Sequence, residues 1–527
     1  MARAEVREFD LVTKAFVPNG LSGPANLGKP FWRDQNSIFL NIGNADGTVT
    51  TVIRQRGRPD HILARAKGSA IYPARDNLKR ILFHIGSDGE RVRILNDNGT
   101  LSRTSFPSGW RFMGIVYQGR AIFQLDKPWR DKVRSFPSGS VVAASLDLFH
   151  SGRISAELIV NPDATKSIDR IVASRNGITI VGQEAGQGTV RTLSRVDGKW
   201  ILRRVPFPLF GSMDTHPGLV DIETGRTFVE FQSFNVPPTL FEVDIRHAVA
   251  QVVRRQAADK GLSEIIVERR YAISPDGTRI PYMVAGLRST LTKQAPLILE
   301  AYGAYGNSIP ALYDAQLLRS WILKGGAYAF AQIRGGAEFG PSWHVTGLKR
   351  RHTYEDFIAV AQNLVSRSYT EPSMLGIRGH SAGGALVLVA LNMRPDLFNA
   401  VVAENPVTDL FRMDLTQTGD AGQRDEWGDP ANAADRAFLA ETSPIQNMRL
   451  DGETAPPFLL TSTTDFRVHP AMSRWYAAKL EHAGRPFFFH EDPEGGHEIG
   501  FANYRKNREL EYAYFWQRLD VSRNSKK

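Results

Sequence analysis

A Gly-x-Ser-x-Gly motif, Gly379-His380-Ser381-Ala382-Gly383, joins a short strand-like run, Leu375-Gly-Ile-Arg, to a long apolar run, Ala385-Leu-Val-Leu-Val-Ala-Leu, that reads as a helix. Only a sharp turn can connect a strand to a helix over so few residues. Glycines are needed there because side chains would clash where the backbone reverses, and the strained turn holds the serine Oγ up for reaction. A chain with 46 glycines could produce such a pattern by accident. This is its one occurrence, however, and it stands in the strand–turn–helix context that a serine nucleophile requires.

The segments around the motif extend the same reading. From about residue 255 strand-like and helix-like runs alternate. Val267 to Ile273, followed by Ser274-Pro-Asp-Gly-Thr, reads as a hairpin, and Pro296-Leu-Ile-Leu-Glu as a buried strand. Thr353 to Arg367 has helical periodicity, with Phe357, Val360, Ala361, Leu364 and Val365 on one face. Phe398 to Ala403, Phe458-Leu-Leu-Thr, a helix from about Ala471 to His482, and Phe487-Phe-Phe-His complete a βαβ-type series. The C-terminal half is therefore expected to be an α/β-hydrolase domain.

The first 250 residues or so have a different texture. Short β-rich runs such as Ser37-Ile-Phe-Leu-Asn, Arg80-Ile-Leu-Phe-His, Ala121-Ile-Phe-Gln-Leu and Gly177-Ile-Thr-Ile-Val are separated by Asn44-Ala-Asp-Gly, Ser87-Asp-Gly, Asn96-Asp-Asn-Gly and Val196-Asp-Gly. These are hairpin turns in the making, since Gly accepts positive φ. The half is expected to be all-β. Four-stranded blades of roughly 40–50 residues would leave room for about five of them, with a pair of β-sandwiches as the alternative.

Composition excludes several function classes. Cysteine is absent, which removes disulfides, thiolate metal sites and a cysteine nucleophile together. A net charge of +10 is spread along the chain, and its densest cluster, Lys349-Arg350-Arg351-His352, lacks the interleaved aromatics of a nucleic-acid surface. No apolar run reaches the length of a membrane span, and the N-terminus has no apolar stretch behind its positive charges. Neither nucleic acid nor membrane is expected as a partner, and cytoplasmic residence is the expectation.

Serine is a poor nucleophile at neutral pH, so a base must take its proton and an acid must hold that base in the right tautomer. In this fold the chain order is Ser, acid, His. Asp465 closes the run Phe458-Leu-Leu-Thr-Ser-Thr-Thr, and His497 lies in Glu494-Gly-Gly-His-Glu after the next strand. Glu404, Asp409 and Asp414 follow an earlier strand, where carboxylates more often cap helices or pair with Arg. His490 belongs to a strand end and His469 sits beside the acid loop; the glycines before His497 make it the better base. The tetrahedral intermediate also needs an oxyanion hole. The Ala382 N–H is one donor by position. The loop Glu300-Ala-Tyr-Gly-Ala-Tyr-Gly306 lacks the His-Gly-Gly sequence of lipases, which makes a tyrosine hydroxyl the candidate for the other.

Taken together, Tyr302-Gly-Ala-Tyr-Gly306, Ile333-Arg-Gly-Gly-Ala-Glu-Phe-Gly340, Trp343-His344, Asp356-Phe357, the serine turn, Asp465-Phe-Arg-Val468 and Gly496-His497 resemble the prolyl oligopeptidase family. The resemblance covers nearly all of the chain from about residue 265. Glu5 to Val17 and Phe31-Trp-Arg-Asp34 also resemble the propeller of bacterial members. It implies a β-propeller with fewer blades than usual over residues 1–252 and a peptidase domain over 253–527. It implies Tyr302 as the hydroxyl donor beside Ala382, Arg467 on a substrate backbone carbonyl, and Val468, Tyr305 and Trp427 at the pocket for the residue before the scissile bond. Short peptides would be the substrates, with no metal or organic cofactor; the oligomeric state is left open.

Three departures from the family qualify this picture. Prolyl-specific members stack the substrate proline on a tryptophan four residues before an aromatic; if that aromatic is Trp427, the position here is Gln423. Asp425-Glu-Trp-Gly-Asp-Pro430 is closer to oligopeptidase B, whose acidic pocket takes Arg or Lys, yet Gln423 stands where one of its carboxylates would be. Thirdly, family members carry a further N-terminal stretch, whereas this chain is expected to start inside the propeller. An esterase or acylaminoacyl hydrolase on the same triad is the second reading, and Arg467 discriminates against it because a simple ester needs no backbone anchor. A binding protein that keeps the fold without turnover is the third.

Overall fold

The computed structural model describes residues 5–519, apart from 25–29, 45, 47, 68–69, 77–78, 86–90, 96–100, 132, 147–153, 162–165, 208–210, 222–223, 310, 417–418 and 498–500. The C-terminal half is built on an eight-stranded sheet. Its strands are β1 (Ile265–Ile273), β2 (Arg279–Leu287), β3 (Leu297–Glu300), β4 (Ala327–Ala331), β5 (Leu375–His380), β6 (Ala400–Glu404), β7 (Pro457–Ser462) and β8 (Phe488–Asp492). The spatial order is β1-β2-β4-β3-β5-β6-β7-β8. The pairs β1/β2 and β2/β4 are antiparallel, and every later pair is parallel.

Parallel strands need both faces covered, and the side chains divide accordingly. Leu297, Leu299, Ala329, Val401, Ala403 and Leu459 enter one core, with Phe357, Val360 and Leu364 of helix α1 (Arg351–Ser366) and Leu386 to Leu391 of α2 (Ala382–Met393). The alternate residues Ile298, Tyr328, Phe330, Val402, Phe458 and Leu460 enter the opposite core with Trp321 and with Tyr512, Phe515 and Leu519 of the C-terminal helix (Phe501–Leu519). This two-sided burial fixes strand register, because a slip of one residue would exchange the faces. The helix expected from Ala471 to His482 spans those residues.

The N-terminal half is all-β. Among the described residues it contains five four-stranded antiparallel sheets in chain order, starting at Phe31, Ala70, Trp110, Arg170 and Ser212. Consecutive sheets pack against one another: the strand Ala70–Asp76 meets Trp110–Tyr117, which meets Arg170–Ser174. Ile115, Tyr117, Ile122 and Val141 of the third sheet share one core with Ile178, Ile180 and Leu193 of the fourth. Val181, Val190 and Val205 share another with Met213, Val229 and Phe231 of the fifth.

Hairpin chemistry explains the tight connections. Asp197 and Gly198 have φ of 47° and 77°, the pair of positive values a two-residue turn needs to match strand twist. Ala185 and Gly186 repeat the pattern at 51° and 73° without the Asp-Gly signature. Ser87-Asp-Gly and Asn96-Asp-Asn-Gly lie outside the described residues. The last strand of the fifth sheet runs to Arg255, and β1 begins at Ile265. Among the described residues no helix is long and apolar enough to cross a membrane.

Candidate active site

The parallel strands deliver their functional side chains at one edge of the sheet, on the loops after their C-terminal ends, where ligands collect in open α/β sheets. Ser381 follows β5 directly. Its φ of 59° and ψ of −120° are the strained values of a sharp turn, and its N–H donates to the Glu404 carbonyl at 2.8 Å. Flanking glycines are obligatory: a Cβ on Gly379 would lie 2.0 Å from the Gly383 carbonyl oxygen, and one on Gly383 2.8 Å from that of Ala301. The strain is held in place by the buried strand before the turn and the buried helix after it.

Asp465 and His497, expected as acid and base, meet. His497 Nδ1 lies 2.8 Å from Asp465 Oδ2, with both residues buried. The other carboxylate oxygen of Asp465 accepts the N–H groups of Arg467 and Val468 at 2.8 and 2.9 Å. A carboxylate so held cannot rotate away from the imidazole, and it fixes the orientation of the ring. Ser381 and His497 line one cavity of about 560 Å³, together with Tyr302, Tyr305, Asn307, Gln423, Arg467 and Val468.

Tyr302 is placed by the loop after β3. Its hydroxyl interacts with the side chains of Ser381 and Asn307, and burial pushes its pKa up to about 12, so it stays a protonated donor throughout the neutral range. Ala382 opens α2, and the first N–H groups of a helix have no partner within the helix. A developing oxyanion beside Ser381 would meet one neutral hydroxyl and one backbone donor at the positive end of that helix.

The pocket differs from expectation at Trp427. That residue is 1% exposed and does not line the cavity. Its indole N–H donates to the Tyr305 hydroxyl at 3.0 Å, and the Arg350 guanidinium covers its ring at 4.0 Å. The reason is local: the last turn of the helix Gly419–Trp427 points the indole behind the Tyr305 loop, leaving Gln423, one turn earlier, on the cavity side. Tyr305 donates its hydroxyl to Gln423 Oε1 at 2.7 Å. Glu426 accepts the Tyr305 N–H at 2.9 Å, pairs with His344 at 2.7 Å and is bound by Arg350. Glu426 is thus spent on holding the loop, and Asp425 is exposed outside the cavity lining.

The competing acids and bases have other duties. Glu404 pairs with Arg508 at 3.0 Å, Asp414 with Arg412 at 2.9 Å, and Asp409 accepts from Gln446 at 2.9 Å. His469 Nδ1 accepts the Ala471 N–H at the start of a helix, and His490 lies within β8. Two contributors had no reading in the sequence. Asn405 donates to the His497 carbonyl at 2.8 Å and accepts the Ser462 N–H at 3.1 Å, tying the ends of β6 and β7 to the base. His380 reaches the same carbonyl at 2.9 Å. The signal for Asn405 was its place at a strand end directly before Pro406, where its φ of 43° suits asparagine. Among the described residues no group of three or more His, Asp or Glu side chains could hold a metal ion.

Comparison with known proteins follows the same lines. The sequence profile of the prolyl oligopeptidase family matches residues 313–521. An uncharacterised peptidase of Sinorhizobium fredii is 31% identical over 550 residues, spanning 98% of this chain and 74% of its own. Prolyl oligopeptidase A of Galerina marginata is 33% identical over 294 residues, spanning 54% of this chain and 40% of its own. A post-proline cleaving enzyme from Rickettsia typhi shares the fold with a TM-score of 0.81 at 23% identity, over 97% of this chain and 80% of that one. Oligopeptidase B from Leishmania major does so with a TM-score of 0.80 at 23% identity, over 95% and 73%. With an elbow serine, a His–Asp pair and this relationship along its whole length, the chain belongs to the prolyl oligopeptidase family of serine peptidases.

Proposed function

We propose that the protein hydrolyses short peptides through an acyl-enzyme on Ser381, with His497 as general base, Asp465 as its orienting acid, and Tyr302 and the Ala382 N–H as the oxyanion hole. The observation that carries this reading is the single cavity that holds Ser381, His497, Tyr302 and Arg467 together. His497 takes the serine proton as Oγ attacks the scissile carbonyl, then returns it to the departing amine. Water repeats the sequence to release the acid. Arg467, exposed on the cavity wall, is suited to a substrate backbone carbonyl, which favours a peptide over a simple ester.

The same reading divides the chain between Arg255, where the fifth sheet ends, and Ile265, a few residues beyond the expected boundary of 252, with the five sheets as blades of a propeller that admits peptides and refuses folded proteins, and places the enzyme in the cytoplasm. Val468, Tyr305 and Gln423 form the pocket for the residue before the scissile bond, with Trp427 as their support. Among the described lining residues of this cavity Glu300 is the one carboxylate, and it is already bound by Arg378 and by the Tyr328 hydroxyl, which leaves none for Arg or Lys. A neutral side chain is therefore the preferred one. The test is hydrolysis of chromogenic peptides ending in Pro, Arg, Ala or Gln, and of a short acyl ester, by wild type and Ser381→Ala. Serine-dependent turnover fastest on a neutral peptide is expected; turnover of the ester alone would replace this reading with the esterase.

A further inference from the structure

His497, the proposed base, belongs to no strand or helix; it lies between β8 and the C-terminal helix, directly after Gly495 and Gly496. Its ring is held at Nδ1 by Asp465. A ring hydrogen-bonded at one nitrogen can still swing about that bond, carrying its other nitrogen toward or away from the serine. The main chain that bears the ring must therefore be fixed as well, since a displacement of about 1 Å between reacting groups can cost on the order of 100-fold in rate.

Two side chains converge on that main chain. Asn405 Nδ2 donates to the His497 carbonyl at 2.8 Å, and His380 Nε2 donates to it at 2.9 Å. A carbonyl can only accept, so the His380 bond places a proton on Nε2, and the two donors together use both lone pairs of the oxygen. The rings of His380 and His497 also face each other at 4.7 Å between centroids, tilted by 51°. His380 directly precedes Ser381, so any shift of the serine turn carries a support of the base with it.

Asn405 connects the remaining parts. It is 1% exposed, its N–H donates to the Leu460 carbonyl at 2.8 Å, and its Oδ1 accepts the Ser462 N–H at 3.1 Å. Both partners belong to β7, the strand that leads into Asp465. Glu404, one residue earlier, accepts the Ser381 N–H at 2.8 Å through its carbonyl. The φ of 43° at Asn405 is left-handed, a conformation asparagine tolerates better than most side chains, and it lets backbone and side chain serve β7 and the base segment together. Tying β6 to β7 needs only the Asn405 N–H and Oδ1. The amide nitrogen goes instead to the carbonyl of the base itself.

We infer that Asn405 and His380 are positioning residues for the hydrolysis: bound jointly to the His497 carbonyl, they hold the imidazole at Ser381 and join the supports of nucleophile, acid and base into one unit. The inference rests on the peptidase reading of the Ser381 cavity and adds to it two residues that act through His497.

The test compares full-length Asn405→Gly, His380→Ala and His380→Gln with wild type, in kcat and KM on one chromogenic peptide and in the rate at which a fluorophosphonate labels Ser381. Glycine accepts the positive φ at residue 405 and so removes the side chain without straining the backbone. Glutamine carries an amide N–H about as far from the main chain as the ring Nε2–H of histidine. Asn405→Gly and His380→Ala are each expected to lower kcat and the labelling rate by about tenfold with KM nearly unchanged, and His380→Gln to recover most of that loss. If Asn405→Gly fails to fold, the two variants of the partly exposed His380 decide the matter. Wild-type kcat and labelling in His380→Ala, a loss confined to KM, or equal losses with alanine and glutamine would overturn the assignment. Labelling also separates this inference from the reading beneath it. A wild type that is labelled on Ser381 yet cleaves no peptide removes the peptidase reading, and the labelling rates of the variants still decide the positioning.

Discussion

Tyr302 and Gln423 show how single side chains set what this site can do. The Tyr302 hydroxyl is useful because it is neutral and held beside Ser381, and burial keeps it so up to a pKa of about 12. On the proposed mechanism, replacing it with phenylalanine removes a donor to the oxyanion, together with the contact to the Asn307 side chain. We expect Tyr302→Phe to lower kcat on a chromogenic peptide by about 100-fold with KM nearly unchanged; a change confined to KM would assign Tyr302 to ground-state binding instead. Gln423 accepts the Tyr305 hydroxyl from inside the cavity. Gln423→Glu places a carboxylate at that point, and kcat/KM for a peptide ending in Arg should rise relative to one ending in Ala. That Ser381, Asp465 and His497 belong together was legible because the proposed chemistry demands fixed residue types in a fixed chain order, and the structure brings Asp465 to His497 and sets Ser381 and His497 on one cavity. Trp427 was not, because whether an aromatic faces a pocket or backs it depends on the helix turn that carries it. Asn405 escaped for a related reason: an amide that binds a backbone carbonyl leaves no spacing pattern.

At the scale of elements, the turn at Ser381 is the most demanding construction. The Gly379 Cα faces the Gly383 carbonyl so closely that an added Cβ would sit 2.0 Å from it. Backbone atoms cannot yield as a flexible side chain can. Gly379→Ala should therefore cost about 2 kcal/mol or more in stability as well as activity. A denaturant titration alongside the peptide assay checks this, and a fully stable but inactive variant would contradict it. Strands with alternating or continuous apolar runs were readable, as were helices whose apolar face recurs every three to four residues. The strand Ala327–Ala331 was missed because its alanines and preceding glycines carry little β signal, and only its central place in the sheet, between β2 and β3, makes it a strand. The C-terminal helix Phe501–Leu519 was missed as well: Tyr512, Phe515 and Leu519 bury against the sheet, but charged residues crowd the intervening positions.

For the molecule as a whole, the contact between the halves carries a titration. Glu338 is buried beside the Ala185–Gly186 hairpin tip, with Oε1 accepting the Ile309 N–H at 3.3 Å and Oε2 unpartnered. Burial, with a smaller contribution from Asp169, pushes its pKa from 4.5 up to about 8. In the folded state the carboxyl keeps its proton, while in the unfolded chain it ionises near its ordinary value. Its contribution to stability is thus fully present below about pH 4.5 and is lost as pH rises toward about 8, because the folded state binds more protons than the unfolded one over that window. Thermal unfolding between pH 5 and 8 should show wild-type stability falling with pH from this group, with a flatter profile for Glu338→Gln; identical profiles would show that the carboxyl is compensated. The two-part organisation was legible from the change of texture near residue 255, and the length of the first half left room for about five four-stranded units, the number of four-stranded sheets found among its described residues. The contact between the halves was not, because the residues that make it, Gly186, Gln332 and Glu338, lie far apart in sequence and belong to no shared pattern.

The central claim is that Ser381 is the residue acylated during peptide hydrolysis. A fluorophosphonate that phosphonylates activated serines, followed by peptide mass spectrometry, measures it most directly. We expect one phosphonyl group per chain on the peptide containing Ser381, loss of peptide hydrolysis in step with labelling, and no labelling of His497→Ala. Stoichiometric label on another serine, or peptide hydrolysis that persists once Ser381 is fully modified, would contradict the account.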